Sequence, residues 1–260
     1  MKNLVTPVLV VAALTGLTMA AAADGAYQTL PFSQNWSNVG LISLDDDWSG
    51  VPGIIGYRGD NNTVASGTDP QTVLADDIPA NTTVATSPVV DVNANKTSTD
   101  LPAFFTGGVT EWEITDPVVA LNGSGTADAP YLQMHINSTG FTDITVSYLL
   151  RDIEDFGTDN SVQPFALQYR TSTSGPWTNV PAGFVADASA GPALPLDTPV
   201  LAVLPSDANE QPTLQIRIIT TNAIGNDEWV GPDNISVTGT PALVPVHPST
   251  WGTVKARFEK

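Results

Sequence analysis

Short runs of alternating apolar and polar residues, separated by turns rich in Gly, Pro, Asn and Asp, fill most of this chain. Clear runs lie at residues 131–137, 144–150, 165–170 and 214–220. Alternation with a period of two places one face of a strand in a core and the other toward solvent. The sequence has no segment with the length and period of an amphipathic helix, which excludes a parallel sheet with helical crossovers. The pattern predicts an all-β fold, a two-sheet antiparallel jelly-roll β-sandwich with long loops.

The segment 222–239 is predicted to close this sandwich. It leaves the apolar run at 214–220, turns at Gly225–Glu228, and re-enters an apolar run at Trp229 that continues to Val237. Two short strands around a polar turn, late in a chain of such strands, predict the closing strand of the sandwich. In a jelly roll the first and last strands lie side by side, so this segment is expected beside residues 32–35.

The amino terminus has the layout of a secretory signal peptide. Residues 1–23 combine Lys2, a mostly apolar stretch over 4–17, and three alanines at 21–23. Such an arrangement directs export and is removed by cleavage. The remaining chain has no apolar stretch of membrane-spanning length. We predict a secreted or cell-surface bacterial protein whose sandwich domain covers residues 24–240.

Residues 241–260 form a linker and a short basic tail. Three of the nine basic residues occupy the last six positions of an otherwise acidic chain. Trp251, Gly252 and Lys255 belong to a short Trp-Gly-x-aliphatic-Lys pattern that resembles the endings of some exported bacterial proteins. The tail is therefore a candidate sorting signal that export or surface-attachment machinery would recognise, and a frayed end is the alternative.

Charge and cysteine content exclude several function classes. The chain carries 27 Asp and Glu against 9 Lys and Arg, a formal net charge of -18. Such a surface repels phosphate backbones, so nucleic acid is excluded as a partner bound through counterion release. The absence of cysteine excludes disulfides, thiolate metal sites and cysteine nucleophiles.

Calcium is the one cofactor that the sequence suggests, because hard cations prefer carboxylate and amide oxygens. The candidate ligands lie in or near the closing segment or in the acidic segment 151–160, and they are Asp233, Asp227, Glu228, Gln34 and Asp152. The run 45–50 fits the first positions of an EF-hand loop, but Gly56 stands where that loop needs a glutamate. A solvated acidic surface is the alternative interpretation for all of these positions.

The sequence predicts no enzyme. Its two histidines are His135, on the predicted solvent face of a strand, and His247, in the tail. The motifs of α/β-hydrolases, zinc proteases and P-loop proteins are absent. A pair of carboxylates can be drawn from 27 in many ways, so such a pair indicates no glycosidase.

A ligand-binding surface is predicted around Trp177. This residue follows a Ser-Gly-Pro turn, which favours an exposed ring, and Tyr169 and Arg170 lie in the preceding strand. Exposed aromatic rings with polar neighbours suit the stacking of sugars. Trp36 and Trp229 lie within apolar runs and are predicted to be core residues.

Five blocks of the sequence together resemble one family. They are LNGSGTADAPYL at 121–132, YLLRDI at 148–153, ALQYR at 166–170, VPAGFVAD at 180–187 and NDEWVGPDNISV at 226–237. They resemble the secreted bacterial jelly-roll module that accompanies catalytic domains in large extracellular nucleases and phosphoesterases. The last block is also similar to the closing strand of concanavalin-like and MAM-like sandwiches, although Pro232 predicts an edge or a bulge there. The resemblance implies an accessory module without catalytic residues.

Three functions follow from these observations. The first is a secreted, non-catalytic module that binds a glycan or another cell-surface or matrix component. The second is a structural matrix or appendage protein that self-associates through edge strands or its tail. The third is a calcium-dependent hydrolase.

Overall fold

The computed structural model describes residues 25–42, 47–60, 62, 64–76, 93–101, 104, 106–154, 161–190 and 196–243. The predicted signal peptide, the acidic residues 155–160 and the tail residues Trp251, Gly252 and Lys255 lie outside these ranges. None of the described segments is a helix with the length and apolar character needed to cross a membrane.

The described residues form thirteen β-strands joined by turns and short 3-10 helices. The strands are β1 Gln28–Thr29, β2 Phe32–Gln34, β3 Ile54–Tyr57, β4 Asn93–Thr97, β5 Gly108–Glu113, β6 Val118–Asn122, β7 Tyr131–Asn137, β8 Phe141–Asp152, β9 Phe165–Arg170, β10 Thr178–Asn179, β11 Leu196–Val203, β12 Leu214–Thr220 and β13 Val230–Pro241. The 3-10 helices cover Val39–Leu41, Pro70–Thr72, Pro181–Gly183 and Ser206–Ala208.

The strands pair into two sheets. Sheet A has the order β1-β7-β12-β9-β10, with β3 also paired to β7. Sheet B has the order β11-β8-β13-β6-β5-β4, with β2 paired to β13. The pairs β1–β7 and β4–β5 are parallel, and the other pairs are antiparallel. The predicted all-β two-sheet sandwich is therefore confirmed, with two short parallel pairings added at its margins.

The main core lies between the two sheets. It contains alternate residues of each central strand, such as Leu132 and Met134 of β7 and Ile216 of β12. Trp36 and Trp229 are buried in this core, as predicted. Burying one tryptophan removes about 150–250 Å² from water, so each ring stabilises the fold by several kcal/mol at about 25 cal/mol per Å².

The closing segment connects the two sheets, because β12 belongs to sheet A and β13 to sheet B. The polar turn between them carries the chain from one sheet to the other. The predicted neighbour of β13 is confirmed, since Ile235 pairs with Gln34 and Val237 with Phe32. The bulge predicted near Pro232 is confirmed by a register shift between Asp233 and Ser236.

The outer face of sheet A is covered, although the alternation in β7 predicted a solvent face there. Gln133 and His135 are both buried. Tyr27 covers one end of this face, with its ring edge-on to His135 at 5.3 Å between centroids. Residues 64–76, named here the roof segment, cover the other end and form a second small core in which Val73 packs with Tyr131 and Ile219. The predicted wet face is wrong because segments distant in the sequence lie over it.

Candidate functional site

The strand register collects polar side chains into two adjacent rows on the outer face of sheet A. In one row, Arg217 lies between Gln133 and Gln168, and in the next, Gln215 lies between His135 and Arg170. All six side chains are buried, and we name them the polar face. Buried polar groups need hydrogen-bond partners, so this face requires a partner layer above it.

The roof segment supplies that layer with its backbone carbonyls. Arg217 donates to the carbonyl of Val73 and, at 2.9 Å, to that of Ala75. Gln168 donates to the carbonyls of Pro70 and Val73 at 3.3 and 3.2 Å. Burial lowers the pKa of Arg217 to about 10, so its guanidinium stays charged at neutral pH. The roof segment is thus fixed to sheet A by charge-assisted and neutral hydrogen bonds.

Asp76 lies at the end of the roof segment, where the polar face reaches the surface. Arg170 Nη1 donates to Asp76 Oδ1 and Oδ2 at 2.7 and 2.8 Å, and Trp177 Nε1 donates to Oδ1 at 2.9 Å. The Trp177 ring in turn contacts two guanidinium groups, those of Arg170 and Arg217, at 4.2 and 4.5 Å from its centroid. These contacts hold the Asp76 carboxylate in one orientation while its side chain remains 38% exposed.

A shallow surface depression of about 450 Å³ opens beside this carboxylate. It is lined by Leu74, Ala75 and Asp76 from the roof segment and by Gly175 and Pro176 from the turn before Trp177. Leu74 and Pro176 are exposed apolar side chains. The depression therefore combines the carboxylate of Asp76 with the apolar side chains of Leu74 and Pro176.

The three residues predicted to bind a ligand have different places in the structure. Trp177 was predicted to be exposed, and this is wrong, since the ring is only 2% exposed. Trp177 and Arg170 do lie together, but they position Asp76 instead of lining the depression. Tyr169 points into the main core, where its hydroxyl donates to Asp207 Oδ1 at 2.8 Å and burial raises its pKa to about 12.

Two predicted calcium ligands near the closing strand already have protein partners. Asp233 is buried, and its Oδ2 accepts a hydrogen bond from Arg151 Nη1 at 2.9 Å. Its Oδ1 accepts from the backbone N–H of Asn234 at 2.6 Å. Burial raises the pKa of Asp233, while Asn234 and Arg151 act in the opposite direction. Gln34 Oε1 accepts from the backbone N–H of Trp36 at 2.9 Å.

The other predicted ligands lie near Glu154, a residue that the sequence analysis did not select. Glu154 Oε2 accepts from the N–H of Trp229 at 3.2 Å, and Asp152 Oδ1 accepts from the N–H of Glu154 at 3.2 Å. Burial, together with the smaller effects of the Asp152 and Asp227 charges, raises the pKa of Glu154 to about 7, while the hydrogen bond from Trp229 acts in the opposite direction. Burial also raises the pKa of Asp227 to about 6.

The described residues contain no group of three or more His, Asp and Glu side chains arranged to hold a metal ion. Glu228 is buried at the start of the closing segment. Calcium binding by these carboxylates stays a prediction.

No protein-family model and no curated protein sequence matches the chain. Among solved structures, a CBM28 carbohydrate-binding module specific for non-crystalline cellulose aligns at 15% identity and a TM-score of 0.33, covering 50% of this chain and 80% of that module. A CBM61 module in complex with β-1,4-galactotriose aligns at 7% identity and a TM-score of 0.30, over 48% and 72% of the two chains.

A family 35 carbohydrate-binding module from Clostridium thermocellum aligns at 17% identity and a TM-score of 0.26, covering 53% of this chain and 83% of the module. Similarity at this level assigns no ligand to this chain. The sandwich fold is established by the strand pairing itself.

Proposed function

We propose that this protein is a secreted, non-catalytic module that binds a neutral glycan in the depression beside Asp76. The proposal rests on the Asp76 carboxylate, which accepts hydrogen bonds from Arg170 and Trp177 while its side chain remains 38% exposed. Asp76 Oδ1 already accepts from both Arg170 and Trp177, whereas Oδ2 accepts from Arg170 and would accept a further hydrogen bond from a sugar hydroxyl. Bonds to a charged acceptor form the stronger class of hydrogen bonds.

The charge of the whole chain supports a neutral ligand. A net charge of -18 repels uronic acids, sulfated sugars and nucleic acids before they reach the depression. A neutral sugar experiences no such repulsion. Its C–H face would pack on Leu74 and Pro176, which line the depression together with Asp76.

The composition of the depression supports binding without catalysis. Asp76 is the one ionisable residue among the five that line it. Glycoside hydrolysis generally uses two carboxyl groups on opposite sides of the scissile bond. The signal-peptide pattern supports an extracellular bacterial location. There such a module would bind a cell-surface component or accompany an extracellular enzyme.

Affinity electrophoresis and calorimetry with soluble neutral polysaccharides test this proposal. The panel comprises β-glucan, xylan, mannan and galactan, with polygalacturonate as the anionic counterpart. The wild-type protein should bind at least one neutral polymer and not the anionic one. Asp76→Ala should weaken that binding roughly 10- to 100-fold, since a hydrogen bond to a charged group contributes about 1.5–3 kcal/mol.

Two further variants separate binding from folding. Asp197→Ala removes one carboxylate from sheet B, on the other side of the molecule's main core, and should bind as the wild type does. Pro176→Glu adds a charge to the wall of the depression at an exposed position, and should abolish binding at an unchanged melting temperature. Failure of every neutral polymer to bind, or undiminished binding by Asp76→Ala and Pro176→Glu, would contradict the proposal.

A further inference from the structure

The outer face of sheet B carries an exposed apolar strip. Leu201 and Val203 on β11 are 69% and 60% exposed, whereas the residues that alternate with them point into the core. Pro199 is exposed on the same side of β11, and its cross-strand partner Leu149 is half-buried. These four residues, named here the β11 strip, are contiguous because they occupy successive outward positions of paired strands.

Hydroxyl side chains continue the same face beyond the strip. Val203 pairs with Thr145, which pairs with Thr238 of β13. Leu201 pairs with Ser147, which pairs with Ser236. Neither row contains an ionisable residue. The row of Pro199 and Leu149 continues to Asp233, which is buried and paired with Arg151, and the next outward position along β11 is Asp197. The fully uncharged rows are therefore those of Leu201 and Val203.

An uncharged area of this kind is unusual on a molecule with 27 carboxylates. A basic partner would bind the carboxylate-rich surface, where the attraction is strongest. An acidic partner is repelled everywhere except where carboxylates are missing. A second copy of this chain necessarily carries the same negative charge. The uncharged area is the part of the surface where two copies can approach with the least repulsion.

We propose that the protein self-associates through the β11 strip, with the strips of two copies packed against each other about a two-fold axis. In such an isologous contact Leu201 and Val203 of one molecule cover those of the other, and the surrounding hydroxyls form the rim. This contact is independent of the glycan site, which lies on the outer side of sheet A.

The contact is made through the face of the sheet and not through its edge. β11 is a terminal strand of sheet B, so its free edge is a candidate for strand addition. Pro199 lies in the middle of β11 and has no N–H to donate to a continued ladder. A proline within an edge strand is a feature that protects the edge from pairing, whereas the rows of Leu201 and Val203 on the face carry no charge.

Sedimentation velocity of the purified full chain over a concentration series tests the proposal. The wild type should form a dimer whose population rises with protein concentration and with added NaCl, because salt screens the repulsion between two acidic molecules. The variant Leu201→Glu, Val203→Glu places four new carboxylates in one symmetric contact. It should weaken association by at least on the order of 100-fold, since like charges in contact oppose binding strongly.

Ile224→Glu is the matched control. Ile224 is 71% exposed on the turn between β12 and β13, outside the β11 strip, so this variant adds the same kind of charge elsewhere and should dimerise as the wild type does. All three proteins should share the same circular dichroism spectrum, because the substituted side chains are exposed. A wild type that stays monomeric at every concentration and salt level would overturn the proposal. So would a dimer that the double substitution leaves intact.

Discussion

Glu154 illustrates how a single side chain acquires unusual chemistry from its surroundings. Its carboxyl accepts the N–H of Trp229 and lies near two other acids, Asp152 and Asp227. Loss of hydration disfavours the charged form, and the neighbouring negative charges act in the same direction. The pKa of Glu154 is therefore raised to about 7, so this group takes up a proton in the folded state over a range in which the unfolded chain has released it.

This difference in pKa predicts a change of stability with pH. Because the pKa rises on folding, the stabilising effect of protonation is complete below the unfolded value of about 4.5 and is lost as pH rises through about 7. Glu154→Gln removes this titration. Relative to the wild type, the variant should gain unfolding free energy from about pH 4.5 to about pH 7, by about 1 kcal/mol after allowing for partial exposure.

Urea unfolding of both proteins across this pH range provides the measurement. Asp227→Asn is the comparison, because burial raises the pKa of Asp227 only to about 6. The difference in unfolding free energy between this variant and the wild type should therefore stop changing roughly one pH unit lower than for Glu154→Gln. A constant difference between Glu154→Gln and the wild type at all pH values would show that the carboxyl is not protonated at neutral pH.

At the residue scale, the sequence predicted a ligand-binding surface around Trp177 but not the burial of that ring. Trp177 and Arg170 both contact Asp76, and their part in ligand binding stays a prediction. The residue that remains accessible, Asp76, is separated from Arg170 by 94 positions and from Trp177 by 101. No local pattern links residues at such a distance, so this cluster was not predictable from one sequence.

Among the strands, β3 shows most clearly how packing overrides local sequence preference. Its sequence, Ile54-Ile55-Gly56-Tyr57, contains a glycine and follows Pro52-Gly53, a combination that favours a turn or bulge. It nevertheless pairs with β7. A Cβ at Gly56 would lie 2.3 Å from Cζ2 of Trp48 and 2.9 Å from Cγ1 of Val109, so the glycine leaves the space that the Trp48 ring fills.

Gly56→Ala should therefore destabilise the protein by about 1–3 kcal/mol, the usual cost of overpacking a close-packed core. Trp48 and Val109 are both buried and cannot move without displacing other core residues. The matched control is Gly125→Ala, where an added Cβ meets nothing within 4 Å, and its stability should be within about 0.5 kcal/mol of the wild type. Thermal and urea unfolding of the two variants measure these changes in stability. Equal stability of the two variants would mean that the core around Trp48 is loosely packed.

At the element scale, periodicity located most of the strands but not their sheet membership. The runs that became β7, β8, β9 and β12 were visible because their alternation is regular. The Gly-Asn-Asp residues between β12 and β13 predicted a turn but not the sheet that the next strand joins, because such residues are common in hairpins and in crossings between sheets alike. Periodicity also correctly assigned Leu132 and Met134 to one face of β7. It could not show that the opposite face is covered by the roof segment.

At the scale of the whole molecule, negative charge and hydrophobic burial act against each other. The sandwich is held by apolar cores and a hydrogen-bonded roof, while its net charge of -18 favours expansion and keeps copies apart. The composition alone established this net charge, but only the strand register showed that carboxylates are missing from the two rows beside the β11 strip. The same repulsion therefore has two consequences, one for folding and one for association.

The consequence for folding is a stability that rises with salt. In the Leu201→Glu, Val203→Glu variant, where association should not contribute, NaCl at neutral pH should raise the unfolding free energy by roughly 1–2 kcal/mol as the screening length falls from about 30 Å to about 10 Å or less. Near the isoelectric point of about 4.1 the net charge approaches zero, so this gain should disappear. Chemical unfolding by urea, which is uncharged, is the suitable measurement. If NaCl raised the unfolding free energy equally at both pH values, the cause would be general salting-out of apolar surface and not relief of charge repulsion.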